Sequence, residues 1–149
     1  MKNVSIHVDG AVAGTEYAAA AAIALTQEGF FLGWLSRQMP QMTNNEAEYH
    51  AALLGLKLAQ LLNAERVEIV SDSEVVVRQM QGQSRVLSQR LKRLHQETCK
   101  RAGHFQAVSF RHVLRDKNCL ADALATEALA GRIVQMSSTK TNWLLMGRG

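Results

Sequence analysis

Three extended runs crowd the first 37 residues, ahead of any amphipathic helix, and that order limits the folds open to the chain more than any other feature. In KNVSIHVDG, Val4, Ile6 and Val8 alternate with Ser5 and His7, the period-2 pattern of a strand with one face more buried than the other, closing at Asp9-Gly10. Residues 17–26 and 30–37, joined at Glu28-Gly29, read as a hairpin pair, although five consecutive alanines favour a helix on propensity alone. From residue 43 helices and strands alternate. Residues 43–62 form a helix, with Ala47, Ala51, Leu54, Leu58, Leu61 and Leu62 recurring on one face. RVEIVSD is a short buried strand, and SEVVVRQMQG a short helix ending at Gly82. Residues 86–102 place Leu87, Leu91, Leu94 and Thr98 inward and Arg90, Lys92, Arg93, Lys100 and Arg101 largely outward. HFQAVSFRHV is a last strand, and residues 116–131 an alanine-rich helix. Three leading strands followed by this alternation imply an α/β fold, a mixed five-stranded sheet with helices on both faces.

A chain of 149 residues with one proline, Pro40, and no Gly/Ser-rich spacer reads as a single domain. We place that domain at residues 1–131, with 132–149 as a C-terminal tail expected to pack on it through TNWLLMG. No apolar run approaches the ~20 residues of a membrane span. MKNVSIHVDG lacks the charged-then-apolar start of a secretory signal, and Cys99 and Cys119 have neither disulfide nor metal-ligand spacing. The expectation is a cytoplasmic monomer with no membrane partner. The net charge of +4 is uneven, with four basic and nine acidic side chains in residues 1–77 and thirteen and four in residues 78–149. A basic half beside a carboxylate-rich half suits a polyanion held near bound cations.

TNNEAEYHAALLGL opens with two asparagines and two glutamates. Thr43 followed by Glu46 is a capping box, which makes Glu46 structural. Glu48 lies at the border of the apolar stripe, where it can reach the sheet edge. Asp9 closes the first strand and Asp72 closes RVEIVSD before a helix, where ligands collect in open α/β sheets. A turn role for Asp9 and a helix-cap role for Asp72 are the alternatives. Asp122 sits about two turns into LADALATEALA, where aspartate has poor helix propensity and no capping role, so a cation partner is the natural inference. Four carboxylates brought together repel one another, and Mg²⁺ offsets that repulsion while also binding phosphate oxygens. Two such ions about 4 Å apart suit phosphodiester hydrolysis.

IHVDGA, TNNEAEYHAALLGL, VEIVSDSEVVVRQM and NCLADALA, in this order and spacing, resemble the four motifs of type 1 ribonuclease H, over roughly residues 3–130. That family cleaves the RNA strand of RNA–DNA hybrids. The resemblance implies the ribonuclease H fold, with the first three strands antiparallel and the later ones parallel to the first. It implies two Mg²⁺ ions, with Mn²⁺ as a substitute, on Asp9, Glu48, Asp72 and Asp122 as the catalytic and metal-binding set, and products with 5′-phosphate and 3′-hydroxyl ends. Thr43, Asn44 and Asn45 match residues that approach the hybrid's minor groove and DNA-strand phosphate, and the backbone at Gly10 and Ala11 lies near the RNA 2′-hydroxyls.

The chain departs from the family in three places. The loop before the last helix carries no histidine, and Arg115 is the candidate substitute; His112 lies upstream. Glu74 stands where many members have glutamine. Only residues 82–86 separate two helices that bracket a basic protrusion in some bacterial members, so hybrid affinity rests on helix 86–102, with Arg90, Arg93 and Arg101 acting as a patch. Two other functions compete: a nuclease whose range extends to double-stranded RNA, and a binding module without catalysis. Loss of a carboxylate is the usual mark of the second, and all four are present.

Overall fold

The computed structural model of the chain describes residues 3–14 and 16–131; the tail at 132–149, expected to pack on the domain, lies outside the described residues. One sheet contains β1 (Asn3–Ala13), β2 (Tyr17–Leu25), β3 (Phe31–Pro40), β4 (Arg66–Ser71) and β5 (Ala107–His112), in the order β3-β2-β1-β4-β5. β1, β2 and β3 pair antiparallel, β4 runs parallel to β1, and β5 parallel to β4. The helices are α1 (Asn44–Leu61), α2 (Glu74–Met80), α3 (Gln89–Ala102) and α4 (Cys119–Leu129), with a 3₁₀ turn at Arg115–Lys117. This is the mixed five-stranded arrangement anticipated from the order of the runs. Among the described residues no helix is long and apolar enough to cross a membrane.

The alanine run is a strand despite its helix propensity, because its burial decides the matter. Ala18, Ala20, Ala22 and Ala24 join the core under α1, together with Val4, Ile6, Val8 and Ile69. Alternation turns the buried Ala19 and Ala21 to the other face, where α4 packs with Ala121, Ala125 and Ala128. Methyl side chains on both surfaces let a helix lie close to each.

α1 begins as its first residues require. Thr43 Oγ accepts from the Glu46 amide at 3.2 Å, and Glu46 Oε1 accepts from the Thr43 amide at 3.1 Å, so the capping box is complete. The helix then crosses the sheet with Gly55 against Val8, Ile6 and Ile69. A buried polar hub joins the next helices to it. Gln79 on α2 accepts from the Tyr49 hydroxyl at 2.6 Å, donates to the Arg85 carbonyl at 3.2 Å, and meets His95 Nε2 of α3 through its own carbonyl at 3.2 Å.

Several boundaries differ from the sequence reading. β1 does not close at Asp9-Gly10 but pairs with β2 as far as Ala13. α3 starts after the Ser88 cap, leaving Leu87 in the preceding loop and 77% exposed rather than inward. The last helix starts at Cys119, not 116, because the chain first makes the 3₁₀ turn and Asn118 leaves helical geometry at φ −125° and ψ 32°.

A β-carbon at Gly55 lies 2.7 Å from Val8 Cγ1 and 3.2 Å from Ile6 Cγ2. Overpacking costs about 1–3 kcal/mol, more than the ~1 kcal/mol that alanine gains over glycine in a helix. Gly55→Ala therefore lowers the denaturation midpoint, and a raised midpoint in urea titration refutes the tight α1–β1 contact.

Candidate active site

The sheet brings the first two carboxylates together. Val8 and Ser71 form the last parallel pair between β1 and β4, so Asp9 and Asp72 are the next residues on each, side by side where the strands part. Asp9 is only 2% exposed and belongs to a continuing strand, which excludes the turn role. Asp72 is not the helix cap either: Ser73 holds that position, its Oγ accepting from the Val76 amide at 3.3 Å.

Glu48 reaches the same point from the early part of α1. Its Oε1 accepts a 2.7 Å hydrogen bond from the Gly10 amide. The approach is possible because residue 10 has no side chain; a β-carbon there lies 2.5 Å from the carbonyl carbon and oxygen of Ala47. Asp9, Glu48 and Asp72 each offer an oxygen, and these three lie within 4.8 Å of one another. Oδ2 of Asp9 and Oδ2 of Asp72 are buried with no hydrogen-bond partner among the described residues.

Asp122 comes to the same cluster from the opposite face of the sheet, close enough to Asp9 to raise its proton affinity. It sits in the first turn of α4, not two turns in, so its argument from poor propensity does not hold. A carboxylate in a first turn is favoured by the helix dipole. The site has little to offset its own repulsion. Burial, then the charges of Glu48, Asp72 and Asp122, push Asp9 from 3.8 up to about 9. Burial also raises Glu48 to about 7, against the Gly10 hydrogen bond and the charge of Arg115, which both favour the ionised form. Closely spaced carboxylate oxygens, two of them buried and unpaired, fit a hard divalent cation.

The remaining sequence candidates lie around this cluster. Asn44 and Asn45 are in the first turn of α1, and Thr43 is its cap. Gly10 and Ala11 are half-buried on β1. Arg115, exposed on the 3₁₀ turn, is near enough to act on Glu48. His112 ends β5, exposed. Glu74 turns to Arg78 at 3.6 Å. Within the basic patch, Arg90 meets Glu46 at 3.8 Å and Arg101 meets Glu97 at 2.9 Å. The sequence reading missed the steric need for glycine at position 10. It also missed Asn118, 2% exposed, because a helix drawn from residue 116 places it inside the first turn.

Asp9 titrates near 3.8 when unfolded and near 9 in the metal-free fold, so folding takes up a proton between those values. Its contribution to stability is therefore greatest at low pH and is lost as pH rises through that interval. An asparagine in its place has nothing to titrate. In chelator, Asp9→Asn should melt higher than the wild type, by a margin that widens from about pH 5 to about pH 8. Calorimetry showing the same margin at both pH values refutes the raised proton affinity.

A family profile described as reverse transcriptase-like matches residues 7–128. The bifunctional protein Rv2228c of Mycobacterium tuberculosis is 36% identical over 87 residues, 58% of this chain and 24% of that protein. The N-terminal RNase H domain of Rv2228c, solved as a fusion with maltose-binding protein, superimposes with a TM-score of 0.83 at 29% identity, covering 91% of this chain and 99% of that one. Ribonuclease HI of Halobacterium salinarum is 31% identical over 127 residues, 85% of this chain and 64% of that protein. The crystal structure of RNase H1 from that archaeon gives a TM-score of 0.83 at 30% identity, covering 87% of this chain and 98% of that one. LC11-RNase H1 in complex with an RNA/DNA hybrid gives 0.81 at 29% identity, covering 87% and 99%. The chain thus spans about a quarter of the mycobacterial protein's length. A profile match over most of the chain, with a structural match of almost the whole archaeal enzyme at 30% identity, makes it a member of the type 1 ribonuclease H family.

Proposed function

We propose that the chain is a metal-dependent endonuclease that hydrolyses the RNA strand of RNA–DNA hybrids, leaving 5′-phosphate and 3′-hydroxyl ends. Its ligands are Asp9, Glu48, Asp72 and Asp122, its cofactor two Mg²⁺ ions, with Mn²⁺ able to substitute. The observation that carries this reading is the group of three carboxylates within 4.8 Å, with two buried oxygens lacking partners. The ribonuclease names of the relatives and the hybrid bound by LC11-RNase H1 support it.

When bound, a pair of divalent cations supplies activation of a water nucleophile and neutralises charge on the departing oxygen. The chain's own residues set the geometry. β1 and β4 hold Asp9 and Asp72 side by side, and the Gly10 amide holds one oxygen of Glu48, fixing the carboxylate's orientation. Thr43 Oγ already accepts from the Glu46 amide, yet a hydroxyl also donates, so the cap can serve a DNA-strand phosphate at the same time. Asn44 and Asn45 present amides beside it for the minor groove. The half-buried backbone at Gly10 and Ala11 suits 2′-hydroxyl recognition, which separates RNA from DNA without reading bases. Arg115 stands where its charge acts on Glu48, a position from which it can assist proton transfer or product release.

Labelled hybrid, double-stranded RNA and double-stranded DNA, each incubated with Mg²⁺, Mn²⁺ or chelator, test the reading. The RNA strand of the hybrid is cut, chelator abolishes cleavage, and DNA duplex survives. Asp9→Asn reduces turnover by orders of magnitude; unchanged activity removes Asp9 from the site. In a second measurement Arg115→Ala lowers kcat more than it raises KM, and an unaffected kcat retires Arg115.

A further inference from the structure

The structure assigns Asn118 the role of a positioning residue that straps the helix carrying Asp122 to the strand carrying Asp9. This rests on the metal-site reading above and deepens it.

Asn118 occupies the cap position of α4 but makes no side-chain cap. Its amide is spent elsewhere. Nδ2 donates to the Val8 carbonyl at 2.8 Å, a buried bond between residues 110 apart in sequence. Val8 immediately precedes Asp9. The backbone carbonyl of the same asparagine accepts from the Asp122 amide at 3.1 Å. One residue therefore bonds the peptide before Asp9 with its side chain and the amide of Asp122 with its main chain.

An isolated buried amide that caps nothing is a costly choice for a helix start, where serine or aspartate satisfies free N–H groups directly. The cost is explained if the bond sets how far Asp122 stands from Asp9. The loop just before it is held by short local contacts, Lys117 to Leu114 and Asn118 to Arg115, and α4 itself packs on the sheet through Ala121, Ala125 and Ala128; the Asn118–Val8 bond adds a directional polar link at the end of α4 nearest Asp9. The Asn118 Oδ1 is buried without a partner of hydrogen-bond geometry, and the His7 imidazole on β1 is the group beside it. His7 thus backs the strap from the strand side, on the same face as Asp9. Groups that orient ligands in this way typically change metal affinity by 10–100-fold when lost.

The test uses the full chain with Asn118→Ser. Serine caps a helix but is too short to reach Val8, so α4 keeps its start while the strap is cut. Three quantities are read: unfolding temperature in chelator, Mn²⁺ binding without substrate by calorimetry, and kcat and KM on hybrid. The expected result is a small change in melting, Mn²⁺ affinity weakened about 10-fold or more, kcat lowered similarly, and KM unchanged. Wild-type Mn²⁺ affinity and kcat in a folded Asn118→Ser overturn the assignment. If that variant fails to fold, Asn118→Leu, close in volume, uncharged and unable to donate to Val8, is judged by the same readouts. A wild-type chain that binds Mn²⁺ but leaves hybrid intact ends the substrate reading, and the strap is then decided by Mn²⁺ affinity alone. A wild-type chain that binds no Mn²⁺ overturns both.

Discussion

Glu48 can stand beside Asp9 only because residue 10 has no side chain. The helix backbone at Ala47 and Glu48 comes so close to β1 that any β-carbon at Gly10 meets it at 2.5–2.7 Å. The same closeness lets the Gly10 amide reach Glu48 Oε1. Sheet, helix and carboxylate cluster share this one contact. Widening it moves the start of α1, and with it Thr43, Asn44, Asn45 and Glu48 together.

What is gathered there opposes folding. Carboxylates that burial and mutual charge hold toward the neutral form cost stability whenever they ionise without a cation. The rest of the molecule must supply the difference. It does so with a core shared by α1 and five strands, with alanine surfaces that admit a helix on each side of β2, and with a capping box that starts α1 cleanly. Active sites commonly carry such a cost, since the arrangement serves chemistry rather than the fold.

Two buried polar links do much of the positioning. Gln79 ties α1, α2, α3 and the Arg85 loop, setting the basic helix against the helix that bears Glu48. Asn118 ties α4 to β1. The Asn118 carbonyl also accepts from the Asp122 amide. Each residue uses a side-chain amide, which has both donors and an acceptor and so can bridge elements that come from separate parts of the chain.

Much of this was legible in the residues themselves. Alternation of Val4, Ile6 and Val8, the spacing from Thr43 to Glu46, the apolar stripe of α1 and the order of strands and helices are local or nearly local signals. They led to the sheet, the main helices and to Asp9, Glu48 and Asp72, whose oxygens lie within 4.8 Å of one another. Tertiary contacts decided the rest. Ala18 to Ala22 are extended because two helices bury them, against their propensity. Leu87 is exposed because Ser88, rather than residue 86, starts α3. Asp122 sits in a first turn because a 3₁₀ turn and Asn118 delay the helix. Glu48 meets Gly10 across 38 residues and Asn118 meets Val8 across 110. Periodicity and capping act within a few residues and can be read in order along a chain, whereas a bond between distant residues exists only once the whole sheet has brought them together.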